Sequence, residues 1–148
     1  MSIKFSIILP TYNCKYLETA INSVINQNYV NWELIVIDNG SSNEALKIIE
    51  KKENKKIRYF RIKNKGVIGK SRNFGIKKSK FSWIAFLDSD DFWYKTKLSE
   101  IRKKILLTKG EFFYHNMHIL SNSKNLINKK LYRYHKKSFD SKFDDLII

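Results

Sequence analysis

The stretch NWELIVIDNGSSNEALKIIE, residues 31–50, changes character in its middle, and that change decides the fold. ELIVI (33–37) is a short apolar run, rich in β-branched side chains and of strand length. DNGSSN (38–43) is polar and turn-forming. Ser41 and Glu44, three apart, match a capping box and predict a helix running to about Lys52. A strand, a turn and a helix within twenty residues form half of a strand–helix–strand unit.

The same alternation continues on both sides. FSIIL (5–9), IRYFRI (57–62) and WIAFL (83–87) are further strand-like runs. Leu17, Ala20, Ile21, Val24 and Ile25 recur at helical spacing and predict an amphipathic helix over 15–27. A short helix is expected over 70–78, and a longer one through Leu98, Ile101, Ile105 and Leu106, ending near Gly110. Strands alternating with helices make an α/β protein, with a mostly parallel sheet flanked by helices. In such sheets ligands bind beyond the carboxyl ends of the strands. PTYN (10–13), DNGSSN (38–43) and DSDD (88–91) all fall on that edge. EFFYHNMHIL (111–120) is expected to be a strand and KLYRY (130–134) its partner, across a turn at 121–125.

Composition narrows the class. At 148 residues with 43% hydrophobic and 14% aromatic content, the chain has enough apolar material for a packed core and is most simply one domain. Its 29 Lys and Arg against 14 Asp and Glu give a net charge of +15. The basic residues form no single stripe, so no nucleic-acid partner is expected on charge alone. A lone cysteine, Cys14, excludes an internal disulfide and fits a reducing compartment. No apolar stretch approaches the roughly 20 residues needed to span a bilayer. A cytoplasmic chain is expected, one that can sit at the inner face of a membrane.

Against that basic background, FLDSDDFW (86–93) places Asp88, Asp90 and Asp91 within four positions. Helix capping accounts for one or two acids there, hardly three. Carboxylates grouped where a strand ends suit a hard divalent cation, Mg²⁺ or Mn²⁺, which keeps positions for substrate phosphate oxygens. Asp38 adds an acid on the same edge. KGVIGKSRNFG (65–75) imitates a phosphate-binding P-loop, but the leading glycine falls on Asn64. The segment instead brings Arg72 towards the edge from a Gly-flanked helix start. His115 and His118, three apart on an expected strand, point to opposite faces and cannot share an ion. Tyr59, Phe60, Phe112, Phe113 and Tyr114 read as core and sheet aromatics.

Taken together, SIILPTYN, ELIVIDNGSSN, GKSRNFGI and WIAFLDSDDFW, in this order and spacing over residues 3–95, resemble the family 2 glycosyltransferases of the GT-A fold. The resemblance implies a Rossmann-like sheet and a nucleotide-diphospho-sugar donor. Pro10, Thr11 and Tyr12 would line the nucleoside pocket, Asp38 would hydrogen-bond the base, and Arg72 would lie beside the nucleotide. Asp88-Ser89-Asp90 matches the DxD element, with Asp88 near the ribose and the metal, and Asp90 on the metal. Asp91 is expected to orient that shell or cap the helix. The implied reaction moves a sugar to a saccharide or lipid-linked acceptor with inversion, as in polysaccharide assembly.

Two departures accompany the resemblance. Asn39 stands where many relatives carry a second acid. The later acids Asp140, Asp144 and Asp145 align with a helix start, so no catalytic base is assigned. Residues 1–110 are expected to bind the nucleotide-sugar and 111–148 to begin an incomplete acceptor side. Either the chain is truncated or a partner subunit completes it, and a membrane surface is a further expected partner. The alternatives are a non-catalytic nucleotide-sugar-binding remnant or subunit and, less well supported, a P-loop-like NTPase.

Overall fold

The computed structural model describes residues 2–108 and 110–114. Four parallel strands, β1 (Phe5–Thr11), β2 (Trp32–Asp38), β3 (Ile57–Arg61) and β4 (Trp83–Phe86), lie in the order β3-β2-β1-β4. Between them run α1 (Leu17–Ile25), α2 (Glu44–Glu50) and α3 (Ile68–Lys78), and α4 (Lys97–Thr108) follows β4. KLYRY and the C-terminal part of the expected 111–120 strand lie outside the described residues. So do His115, His118, Asp140, Asp144 and Asp145.

The two central strands are buried along their whole length, which is why ELIVI and FSIIL read as continuous apolar runs rather than alternating ones. Alternation instead sorts their side chains between two cores. Phe5, Ile7 and Leu9 join Leu34 and Val36 against Leu17, Ala20, Ile21 and Val24 of α1, Ala45 of α2, and Leu98 and Ile105 of α4. Ile8, Ile35 and Ile37 face the other way, towards Phe60 and Phe74. Each such Ile or Leu, fully enclosed, contributes about 1.5–3 kcal/mol relative to exposure.

Two local features open the carboxyl edge. The chain leaves β1 towards β2 and β3 and returns on the other side as β4, so the topological switch lies between β1 and β4. The ladder with β4 covers only Phe5–Ile8, with Leu87 N–H donating to Ile8 O at 3.0 Å. Pro10, two residues on, faces the same side past the end of that ladder, where no strand needs its missing N–H. Gly75 of α3 lies so close to β1 that a Cβ there would sit 2.5 Å from Ile8 Cγ2. That approach seats α3, and Arg72 one turn earlier, against the strands.

Some elements differ from expectation. α2 begins at Glu44 behind Asn43, with no side-chain cap. The predicted capping box does not form because Ser41 Oγ accepts the Asn13 N–H instead, at 2.9 Å. The described residues 110–114 contain a bend and no strand, and Phe113 packs against Trp83 with ring centroids 5.9 Å apart.

Candidate functional site

The ends of the four strands are stitched together by backbone and side-chain hydrogen bonds. Asn39 N–H donates to Thr11 O at 2.9 Å, tying the exit of β2 to that of β1. Asn13, held at φ 44°, accepts Ser42 N–H on Oδ1 at 3.0 Å while its own N–H goes to Ser41. Asn64 N–H donates to Asn39 Oδ1 at 3.0 Å, and Asn64 Nδ2 donates to Ser71 Oγ at 2.7 Å and to Val67 O. Cys14 Sγ–H reaches Ser89 O at 3.2 Å, linking the β1 exit to the acidic turn.

Every sequence-predicted site residue lies on this edge. Pro10 and Thr11 end β1, with Thr11 buried and the following Tyr12 64% exposed. Asp88, Ser89 and Asp90 form the turn after β4, closed by Asp91 N–H on Asp88 O at 3.1 Å. Asp88 is half-buried and Asp90 is exposed. Arg72 Nη2 donates to Asp88 Oδ1 at 2.8 Å, and its guanidinium lies 5.5 Å from the Phe86 ring centroid. Arg72 and Asp88, sixteen residues apart in sequence, are thus one charged unit.

Asp38 is placed differently from the rest. It is fully enclosed, with Oδ1 accepting Ser41 N–H at 2.7 Å and Oδ2 accepting the Tyr59 hydroxyl at 2.5 Å. Arg61 Nε lies 3.8 Å from Oδ2. Burial, reinforced by the bond to Asp38, pushes the Tyr59 hydroxyl up to about 12. Tyr59, read from sequence as a core aromatic, does pack on the core, yet its hydroxyl serves this edge. Arg61 and Asn64 belong to the same network. Only their position at the end of a strand hinted at it.

Three buried side-chain polar atoms among the described residues have no partner: Thr11 Oγ1, Asn64 Oδ1 and Arg72 Nε. All three sit on residues of this edge. Buried polar groups are nearly always satisfied, so such a concentration calls for partners from outside the protein, ordered water or a polar ligand. A cavity of about 330 Å³ opens beside it, lined by Thr11, Asn13, Cys14, Ser41 and Ser42 among others. The P-loop imitation dissolves here: Gly69 and Lys70 are exposed in the first turn of α3, and Ser71 is buried beneath Asn64.

For a divalent cation the fit is chemical. No three His, Cys, Asp or Glu side chains gather into a cage among the described residues. Asp88 and Asp90 supply hard oxygens on an accessible turn, a partial set that suits a cation completing its shell with phosphate oxygens and water. With Asp88 Oδ1 engaged by Arg72, Asp90 is the better placed ligand.

The family model for glycosyl transferase family 2 matches residues 6–146. The chain belongs to that family. The four-stranded parallel sheet and its flanking helices are accordingly the GT-A fold of that family. Among its relatives is an uncharacterized glycosyltransferase of Rickettsia bellii, 42% identical over 114 residues, which cover 76% of this chain and 16% of that one. An Escherichia coli relative, UDP-Glc:alpha-D-GlcNAc-diphosphoundecaprenol beta-1,3-glucosyltransferase WfgD, is 38% identical over 120 residues, 80% of this chain and 47% of the relative. Of solved structures, S. aureus TarS 1–349 in complex with UDP-GlcNAc aligns with a TM-score of 0.68 at 34% identity, covering 72% of this chain and 32% of that one. The chain thus spans less than half the length of these relatives. No helix among its described residues is long and apolar enough to cross a membrane.

Proposed function

We propose that this edge binds a nucleoside-diphosphate sugar, a UDP-sugar first, and that the chain is the donor-binding part of an enzyme transferring that sugar to a saccharide or lipid-linked acceptor with inversion. The observation that carries the reading is the gathering of every unpartnered buried polar atom among the described residues onto the edge that holds Arg72 and Asp88. The UDP-GlcNAc complex of TarS and the UDP-Glc in the WfgD name support the choice of uridine nucleotide.

In this reading Pro10 and Thr11 line the nucleoside pocket and the exposed ring of Tyr12 covers the base. Thr11 Oγ1 and Asn64 Oδ1 take up polar groups of the nucleoside. Arg72 holds Asp88 and faces the phosphates, and Ser89 and Asp88 lie along the ribose. Asp88 and Asp90 would hold Mg²⁺ or Mn²⁺. A cation bound there supplies Lewis-acid stabilisation to the negative charge that develops on the departing diphosphate. The acceptor hydroxyl needs a general base, for which the described residues of this edge offer no assignment. Residues 111–148 are proposed to begin the acceptor side, and the basic excess of the chain suits an anionic membrane surface or a partner subunit.

Calorimetric titration of UDP, GDP and dTDP, with and without Mn²⁺, on the wild type and Asp90→Ala tests the reading. UDP binding that depends on Mn²⁺ and is lost in Asp90→Ala is the expected result. Binding indifferent to both metal and variant would remove the cation. A folded protein that binds none of the nucleotides would overturn the donor site itself.

A further inference from the structure

Asp38 raises a question that the donor reading leaves open. Its carboxylate is fully buried and each oxygen accepts a hydrogen bond within the protein, so neither oxygen reaches solvent. A buried charge is tolerated only when it is paired and hydrogen-bonded. Besides Ser41 N–H, the groups that hold it come from β3, an edge strand of the sheet. Arg61 does more than approach Asp38. Its Nη2 donates to Ser41 O and its Nη1 to Asn43 Oδ1 at 3.0 Å.

The effect of these contacts can be followed outward. Asp38 Oδ1 fixes Ser41 N–H across a turn that needs Gly40 at φ 81°, a left-handed conformation that side chains resist. Ser41 Oγ then accepts Asn13 N–H, and Ser42 N–H donates to Asn13 Oδ1. Asn13 directly follows Tyr12. Tyr59 and Arg61 therefore bear on the β1 exit through two relays, although neither lines the cavity there.

We infer that Tyr59 and Arg61 are positioning residues for donor binding, which hold the buried Asp38 and the 39–43 loop in the shape that presents Thr11, Tyr12 and Asn39 to the nucleotide. The inference rests on the donor reading above and deepens it. Asp38 acts on the nucleotide through the loop it anchors. Deleting the Tyr59 hydroxyl leaves its ring in the core and Ser41 N–H on Asp38, but frees Asp38 Oδ2 to turn and loosens the loop.

The test is UDP affinity in the presence of Mn²⁺, by calorimetry on the full chain, for wild type, Tyr59→Phe, Arg61→Ala and Arg61→Lys. The ligand-free unfolding midpoint is followed in parallel. Tyr59→Phe and Arg61→Ala should each weaken UDP binding about tenfold, the scale of one hydrogen bond to a charged group. Arg61→Lys, which can still donate to Ser41 O, should recover most of the loss. A purely structural role would lower the midpoint without that recovery of affinity, and this result overturns the inference. Arg61 has a 44% exposed side chain, so its variants should fold even where Tyr59→Phe does not. If the wild type binds UDP and Arg61→Ala binds it equally well, the positioning role is refuted while the donor site stands. If the wild type binds no nucleotide, both fall.

Discussion

Replacing Glu33 by Gln should destabilise the protein by about 2 kcal/mol at neutral pH and should remove a dependence of stability on acid. Glu33 lies at the start of β2, at the opposite edge from the proposed donor site, with its side chain only 6% exposed. Oε1 accepts the Ser6 hydroxyl at 2.7 Å and Lys80 N–H at 2.6 Å, and Oε2 accepts Arg58 Nη1 at 2.9 Å. One carboxylate thus ties β1, β3 and the approach to β4. A Gln amide oxygen can keep the first two bonds as neutral ones. Its NH₂ would face the Arg58 guanidinium, donor against donor, with the charge gone. Breaking a buried pair costs roughly 3–5 kcal/mol, but Arg58 also donates to Lys78 O at 2.7 Å and is partly exposed, which argues for about 2. For a chain of this size that is a fall of about 4–8 °C in melting temperature.

Burial alone would raise the Glu33 carboxyl, but the bonds from Lys80 N–H, Arg58 and Ser6 together outweigh it and hold it below its usual 4.5. A depressed folded value means that the stabilisation is complete above 4.5 and lost as pH falls through the folded value. Urea unfolding of both proteins from pH 7 into the acid range should show the wild-type advantage shrinking over that window. A Gln variant within about 0.5 kcal/mol of wild type at pH 7 would refute the reasoning, since surface substitutions already fall in that range. A gap that does not narrow in acid would refute its electrostatic part.

Gly75→Ala should cost about 1–3 kcal/mol by overpacking. Ile8, the side chain in the way, is fully buried and β-branched. Because α3 must move to admit the methyl, UDP affinity should fall with the melting temperature, and an unchanged Tm would show that the helix is not held so closely. Lys97 packs over the Trp93 ring at 4.6 Å, and burial, opposed by Asp91, pushes its amine down to about 8. The unfolded chain then binds the extra proton between about 8 and 10.5, so wild-type stability should rise with pH across that window. Lys97→Met should lack that rise, and equal slopes for the two proteins would contradict the burial of the amine.

Much of this architecture was legible because its signals are local. Strand-length runs such as ELIVI and FSIIL, broken by polar turns, predict parallel strands with their exits on one side. That arrangement alone places Thr11, Asp38 and Asp88 on a common edge. Asp88 and Asp90 could be proposed as cation ligands because two acids one residue apart in a turn repel unless something reconciles them.

The roles within the edge were decided by contacts between residues distant in sequence. Ser41 carries the local signature of a helix cap, yet its hydroxyl meets Asn13, 28 residues away, once β1 and β2 lie side by side. Asp38 looks like any acid at a strand end until Tyr59, 21 residues on, closes over it and makes it an internal anchor. Period and turn chemistry depend on neighbours along the chain, so the sequence by itself determined the elements, their direction and the edge where chemistry gathers. Which polar atoms pair and which are left without a partner depends on neighbours across the sheet, and only the tertiary structure brings those together.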